Sequence, residues 1–446
     1  MKERRLKRAV LGIVIVLLML ATPVLAAEQY IAMLSFRVGP YAAGGTGFYG
    51  GYIDYLDMLN KRDGGINGVK LTWEECETEY KNDRGVECYE RLKNNGPTGA
   101  SVIIPLSTGI TYSLIDRVNV DKLPLVTMGY GRSDAADGRV FPYVFPVVTS
   151  YWSQNTAKIK YIGSLEGGMD KLKGKKIVNL YHGSAYGKET MGLLDLQAAK
   201  YGFTVTHIEV PHPGNEQQSQ WMQIRQMKPD WVILRGWGVM NSVALKTAQK
   251  VGFPANRMIG GWWSGAEEDV IPAGDAAKNF VTAAFHPSGV DFPVIQDILK
   301  HVYAKGGTGN MTDPKRIGQQ YFNRGVIQGI LVAEAIRTGQ EKYGKRSLTG
   351  EEMRWGFENL DIDDKRLKEL GAHDLLQPLK LSCMDHEGGG AVKFQRWNGD
   401  KWEIVSDWIP SDQEIVRPEV EKSAAKYAAE KGITLRNCTQ EAKAKK

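Results

Sequence analysis

Residues 99–136, GASVIIPLSTGITYSLIDRVNVDKLPLVTMGYGRSDAA, decide how this chain is read. Two short apolar runs, 101–106 and 124–129, each give way to a small polar loop. Between them Ile110, Leu114, Ile115 and Val118 recur at helical spacing and mark one apolar face. Strand, helix and strand in this order predict a βαβ unit with parallel, buried strands. Ligands of such sheets collect beyond the carboxyl ends of the strands. Those ends carry Ser107-Thr108-Gly109 and Gly129-Tyr130-Gly131-Arg132-Ser133. Hydroxyls and free backbone N–H groups at a helix N-terminus suit an anionic group such as a carboxylate. The plainer role for Ser107 and Thr108 is to cap the helix that follows. Two such loops on adjacent strands point to a site.

The same alternation extends outward. Upstream, a strand at 30–36 leads through a loop at 37–44 into a helix ending near Arg62; a tight turn at 63–68 enters a strand at 69–75. A helix follows at 83–94, and 143–147 leads away from the central unit. This is the pattern of a doubly wound α/β lobe. It then restarts, with helices at 151–165, 187–201, 219–227 and 240–251 and strands at 176–181, 204–210, 231–236, 257–262 and 279–285. The second run resembles the first in order and spacing, so two similar lobes are expected. Beyond His286 come helices at 294–304, 314–338 and 349–360. A hairpin joins 392–397 to 402–408 across Asn398-Gly399, a strong turn signal. A charged helix at 418–431 precedes a polar end at 443–446, read as disordered.

The chain has 446 residues, enough for two domains with separate cores. Its 42% apolar and 24% charged content is ordinary for a globular protein. Five of the 57 basic residues and one of the 51 acidic ones fall in the first eight positions, leaving 52 against 50, a net of +2. The basic character thus belongs to the leader, and no nucleic-acid surface is read from it. After the basic start, an apolar run at 9–21 meets Thr22-Pro23-Val24-Leu25-Ala26. That matches a secretory signal cut after Ala26, and the run is short for a membrane span. Residues 1–26 are read as a signal peptide and the mature protein as exported and soluble. In an exported chain the four cysteines are read as disulfides. Of three pairings, Cys76–Cys88 and Cys383–Cys438 are favoured; no CxxC or HxxxH spacing supports zinc.

Gly45-Thr46-Gly47-Phe48-Tyr49-Gly50 is a literal GxGxxG, with Glu74 and Glu75 where a ribose-binding acid would stand. Eight residues separate it from its strand, whereas the dinucleotide turn follows tightly. The glycines are read instead as letting the helix approach the sheet or a cleft. No GxSxG is present. Asp385-His386-Glu387 precedes three glycines and reads as a solvated bend rather than a metal or proton site. No catalytic constellation emerges, and the chemistry points to binding. Tyr130, Tyr186, Trp237, Trp262 and Trp263 each fall where a predicted strand gives way to a loop. Together they describe a cleft that sandwiches a planar or apolar body. Arg132 and Arg235 are candidate carboxylate partners, because a guanidinium forks onto two oxygens.

Across 29–407 the chain resembles a periplasmic solute-binding protein of the branched-chain amino acid type, the ligand receptor of an ABC importer. The resemblance rests on Val38-Gly39-Pro40-Tyr41, Asp63-Gly64-Gly65-Ile66-Asn67-Gly68, residues 101–110, Leu123-Pro124-Leu125-Val126, Tyr143-Val144-Phe145, Tyr186-Gly187, Lys228-Pro229-Asp230-Trp231-Val232, Gly252-Phe253-Pro254 and residues 325–335. It implies the type I periplasmic-binding fold: two Rossmann-like lobes joined by three crossing strands, near 145–149, 284–286 and 385–390. Lobe one would hold 27–148 with 285–385, lobe two 149–284 with 386–410, and 411–446 would form a C-terminal helix and tail. It further implies a non-enzymatic, monomeric receptor without cofactor that closes on a small molecule and presents the closed form to an inner-membrane permease. The ligand carboxylate would meet Ser107, Thr108, Gly129, Tyr130 and Gly131, with Tyr41 and Tyr186 alongside. The family's acid for a ligand ammonium aligns with Trp262, with Glu267 and Glu268 a few residues on. A buried ammonium without its acid is costly, so a carboxylate with an aromatic or aliphatic body suits Trp237, Trp262 and Trp263 better. The alternatives are a secreted α/β enzyme using the glycine loop and a sensory receptor of the same fold.

Overall fold

The computed structural model describes residues 27–443; the signal read at 1–26 and the tail end at 444–446 lie outside them. The first sheet takes β1 (Glu28–Met33), β2 (Lys70–Glu75), β3 (Ile103–Ile104), β4 (Leu125–Val126) and β5 (Val144–Phe145). Its order is β2-β1-β3-β4-β5 and every pair is parallel. The second sheet takes β6 (Lys176–His182), β7 (Thr204–Val210), β8 (Trp231–Arg235), β9 (Met258–Gly260) and β10 (Val281–Ala284) in parallel. A short pair, β11 (Asp361–Ile362) and β12 (Leu379–Lys380), stands apart. The hairpin of β13 (Lys393–Trp397) and β14 (Trp402–Ile404) returns to the second sheet, antiparallel to β10, giving the order β14-β13-β10-β9-β8-β6-β7. Each sheet is the centre of one lobe.

The strands of the central unit are two residues each, shorter than the apolar runs that announced them. Pro105 has no N–H to pair, and the backbone turns left-handed at Leu106 (φ +41°) and Gly129 (φ +69°), which ends extended pairing. The helix expected at 314–338 runs instead at Gln320–Tyr343, because Gly318 (φ +83°) separates it from a single turn at Pro314–Arg316. The helix expected at 187–201 divides into Ala185–Lys188 and Met191–Tyr201, and the strand expected at 257–262 stops at Gly260.

The GxGxxG segment lies inside the helix Ala42–Asp63, so it forms no phosphate-binding turn. Gly45 within it and Gly51 just after it allow close packing: a Cβ at Gly45 would sit 1.9 Å from the Phe36 carbonyl oxygen, and one at Gly51 2.0 Å from that of Phe322. Gly325 answers from the helix Gln320–Tyr343, where a Cβ would come 1.9 Å from the Phe48 carbonyl oxygen. Backbone thus meets backbone along this helix pair.

Three stretches connect the lobes: 146–150, 285–292 and 381–392. The first and third are tied together. Gly390 N–H donates to Val148 O (3.0 Å), Ser150 N–H donates to Glu387 Oε1 (2.7 Å), and His386 Nδ1 lies 2.8 Å from Val144 O. Asp385-His386-Glu387 therefore belongs to the hinge; His386 is fully buried there rather than solvated.

Beyond the second lobe, the helix Gln413–Lys431 crosses to the first. At its start Asp412 accepts the Tyr201 hydroxyl (2.6 Å) and its N–H reaches Thr156 Oγ1 (2.9 Å). Further on, Ser423 donates to Asp134 (2.5 Å), Tyr427 donates to Asp116 (2.6 Å), and Arg436 pairs with Glu358 (2.6 Å). Disulfides join Cys76 to Cys88 and Cys383 to Cys438, as the spacing favoured. Among the described residues no helix is long and apolar enough to cross a membrane.

Replacing Cys383 and Cys438 together by alanine opens a loop with a sequence separation of 55. Stability should fall by about 2–4 kcal/mol, read as a lower urea midpoint without reductant. An unchanged midpoint would show that the bond adds nothing to holding the tail.

Candidate functional site

The loops at the carboxyl ends of β3 and β4 meet the second lobe across a narrow seam. Thr108 opens the helix Thr108–Asp121; its Oγ1 accepts the Gly131 N–H (3.3 Å) and lies 3.3 Å from the Tyr151 hydroxyl. Tyr130 turns back over its own loop, its hydroxyl donating to Val126 O (3.1 Å) and accepting from Leu106 N–H (2.9 Å). From the second lobe come Tyr151, Tyr186, Trp237 and Trp263. With Tyr80, Leu106, Thr108 and Tyr130 they line a tight chamber of about 10 Å³, room for about one water as it stands. Its walls are almost entirely aromatic, the composition that grips a flat or apolar body and leaves a few polar atoms to orient it. Trp237 Nε1, buried in this wall, has no hydrogen-bond partner among the described residues.

Trp237 also separates this chamber from a second, more open one of about 230 Å³, lined in part by Tyr41, Gly44, Glu268, Asp269 and Tyr321. The Tyr41 ring stacks on Trp237 (centroids 5.8 Å apart, 11° between planes), and Trp263 meets it edge-on at 5.4 Å. The Tyr41 hydroxyl lies 2.8 Å from His182 Nε2 and 2.6 Å from His212 Nδ1, bridging the lobes. The hydroxyl has one proton, so it donates to at most one of the two rings and accepts from any other that donates. Asp269 is fully enclosed, accepting from Asn241 (2.9 Å) and Tyr321 (3.1 Å). Burial pushes its carboxyl up to about 7.

Several polar contacts close the seam. Arg316 of lobe one pairs with Glu268 of lobe two (2.5 Å), and Gln320 N–H donates to Glu267 (2.9 Å). Glu189 accepts Ser133 N–H (2.8 Å) and the Tyr112 hydroxyl from the opposite side. Arg324, fully buried, donates to Trp262 O (3.1 Å) and stacks on Trp263 with its Cζ 4.5 Å from the ring centroid.

The structure gathers Thr108, Tyr130, Tyr186, Trp237 and Trp263 around the first chamber and places Tyr41 at the second. It assigns other work to the remaining expected residues. Ser107 Oγ caps its helix by accepting Ile110 N–H (3.3 Å). Gly131 gives its N–H to Thr108, and the Gly129 carbonyl accepts both indole N–H groups, from Trp262 (2.7 Å) and Trp263 (3.0 Å). Trp262 lies behind the chamber, stacked on Tyr151 and edge-on to Phe285. Arg132 is held away from the seam by Asp134 (2.5 Å), its guanidinium 4.3 Å over Tyr427. Arg235 lies behind the tyrosine wall and donates from Nε to Tyr186 O (3.0 Å). Glu267 and Glu268 bond across the seam. Missed from the sequence were Tyr80 and Tyr151, which sit away from predicted strand ends. Also missed were His182 and His212, solitary histidines whose meeting depends on the register of β6 against β7.

This two-lobed arrangement, with a lined seam between parallel sheets, is that of a ligand-binding receptor. The periplasmic binding protein family model matches residues 28–401, and the chain belongs to that family. A crystal structure from the Pseudomonas fluorescens group, called an ABC transporter permease, is 49% identical, covering 92% of this chain and 99% of its own with a TM-score of 0.86. A branched-chain amino acid ABC transporter protein from Thermus thermophilus, solved with valine, is 18% identical over 88% of this chain and 99% of its own, TM-score 0.74. A solute-binding protein from R. palustris in complex with benzoate is 18% identical over 86% and 97%, TM-score 0.66. These last two share the fold. Among curated proteins nothing matches significantly.

Burial, and His212 beside it, push the His182 imidazole down to about 4. A solvated histidine titrates near 6.5, so the folded seam binds fewer protons at this ring than the unfolded chain. Its contribution is present above about pH 6.5 and falls by about 3 kcal/mol as pH drops to 4. The stability difference between wild type and His182→Gln should shrink by that amount between pH 7 and pH 4 in urea unfolding. A difference independent of pH would show that the ring is not held neutral.

Proposed function

We propose that this protein is the exported solute receptor of an ABC importer, binding one small carboxylate-bearing ligand between its lobes without converting it. The reading divides the chain into 27–148 with 285–385 as lobe one and 149–284 with 386–410 as lobe two. The aromatic chamber at the seam carries it: every wall belongs to a strand-end loop or helix start of one lobe or the other, so a ligand there touches both. A ligand that contacts both lobes stabilises the closed form by its differential affinity for it. An inner-membrane permease then reads closure. The family and the leader read at 1–26 support a periplasmic location.

The aromatic lining of the chamber favours an acid with an aliphatic or one-ring body. Thr108 Oγ1 and Trp237 Nε1 are its polar points, and the stacked rings its apolar grip. The α/β enzyme alternative loses its motif, since Gly45, Gly47 and Gly50 lie inside a helix, where they admit Phe36, Tyr321 and Met311.

The test is a thermal-shift screen of the mature protein against amino acids, one-ring acids and dicarboxylates, since a ligand of the folded state raises the melting temperature. At least one acid should raise it and be recovered unchanged. Thr108→Val should weaken that acid by about 1–3 kcal/mol in calorimetry. Turnover of the ligand, or full affinity in Thr108→Val, would overturn the reading.

A further inference from the structure

Behind the tyrosine wall, the helix Tyr151–Glu166 lies on the sheet of lobe two. Tyr151, Gln154, Asn155 and Lys158 fall on one face of it by their spacing. Strand alternation turns Arg235 to the same side as Ile233, which shares an apolar cluster with Ile159 and Ile162 of that helix. Arg235 and Lys158 are both fully buried. The guanidinium carbon lies 4.1 Å from the Tyr151 ring centroid and 4.5 Å from that of Tyr186, the two rings that form the chamber wall.

Neither side chain is fully satisfied: Arg235 spends only its Nε–H, on Tyr186 O, and otherwise meets the two rings. Arg235 Nη1 and Nη2 and Lys158 Nζ have no hydrogen-bond partner among the described residues, and both amide atoms of Gln154 are likewise unpartnered. Burial first, and then the Arg235 charge, disfavour the charged form of Lys158. One unpaired buried charge costs several kcal/mol, and two of the same sign add repulsion. The arrangement is out of balance as it stands: free donors outnumber free acceptors even with Asn155 Oδ1 counted among the latter.

We propose that Arg235 and Lys158 form a buried anion subsite at the back of the chamber, taking a small monoanion of carboxylate or halide type. One anion between them satisfies both cations at once. Its source is either the carboxylate of the bound solute, a version that rests on the receptor reading, or a free anion that stays in the fold. Burial, with Arg235 nearby, drives the Lys158 amine well below the usual lysine range. Arrival of an anion therefore draws a proton onto the amine, and binding is coupled to proton uptake.

Wild type and Lys158→Met, both refolded to strip bound solutes, are melted in sodium bromide and in sodium benzoate at matched ionic strength. If the anion is free, bromide raises the wild-type melting temperature by several degrees and the rise is lost in Lys158→Met. If it belongs to the solute, benzoate gives the rise and Lys158→Met weakens benzoate at least tenfold, with proton uptake seen by calorimetry in two buffers. Equal responses of the two proteins to both salts would overturn the subsite. A solute bound equally tightly by both would then leave the receptor reading standing, while loss of all solute binding with a retained bromide response would do the reverse. Should Lys158→Met fail to fold, wild-type crystals soaked in each salt decide: density for either anion within reach of both side chains supports the subsite, and its absence overturns it.

Discussion

A single carbonyl oxygen, that of Gly129 in lobe one, accepts the indole N–H groups of two neighbouring tryptophans in lobe two. This junction sets the width of the seam. It fixes Trp263 as a chamber wall and Trp262 as its backing, and brings the loop after β4 against the turn after β9. The left-handed backbone at Gly129 turns the carbonyl toward them, and a Cβ there would stand 3.1 Å from the Trp262 indole nitrogen. Only glycine provides both the conformation and the clearance. The aromatic box, the Arg324 stack and the tyrosine wall all take their positions from this meeting point.

Around that junction the lobes are held by polar contacts of unequal strength. The Arg316–Glu268 pair is partly exposed and its attraction is screened. Glu189 is half-buried, reaching from lobe two to a backbone N–H and a tyrosine hydroxyl of lobe one. Losing such contacts on opening would leave polar groups to be rehydrated rather than orphaned, so each contributes modestly. The balance between open and closed forms is then within reach of the differential affinity of one small ligand.

The architecture was legible because parallel strands buried on both faces leave continuous apolar runs, and the turns between them carry glycine and proline. The chamber was legible in part for a related reason: Tyr130, Tyr186, Trp237 and Trp263 stand at strand ends, where the fold puts ligands. Trp262 could not be told from Trp263 by sequence, since which indole faces the cleft depends on the single turn at Trp262–Ser264. Arg132 looked available because Asp134 and the distant Tyr427 meet it only in three dimensions. The GxGxxG spacing misleads for the converse reason: glycines that admit neighbouring residues such as Phe36, Tyr321 and Met311 to a helix leave the same local pattern as glycines that admit a phosphate.

The C-terminal segment lies mostly beyond the part of the chain shared with the family model, which ends at residue 401. Its beginning is fastened to lobe two at Asp412, its far end to lobe one by Arg436 and the Cys383–Cys438 bond. A tether anchored at both ends cannot lengthen while its helix is intact. Any swing of the lobes must therefore either pivot about this cord or release one of its fastenings, so the widest mouth the receptor opens is governed outside the three hinge strands.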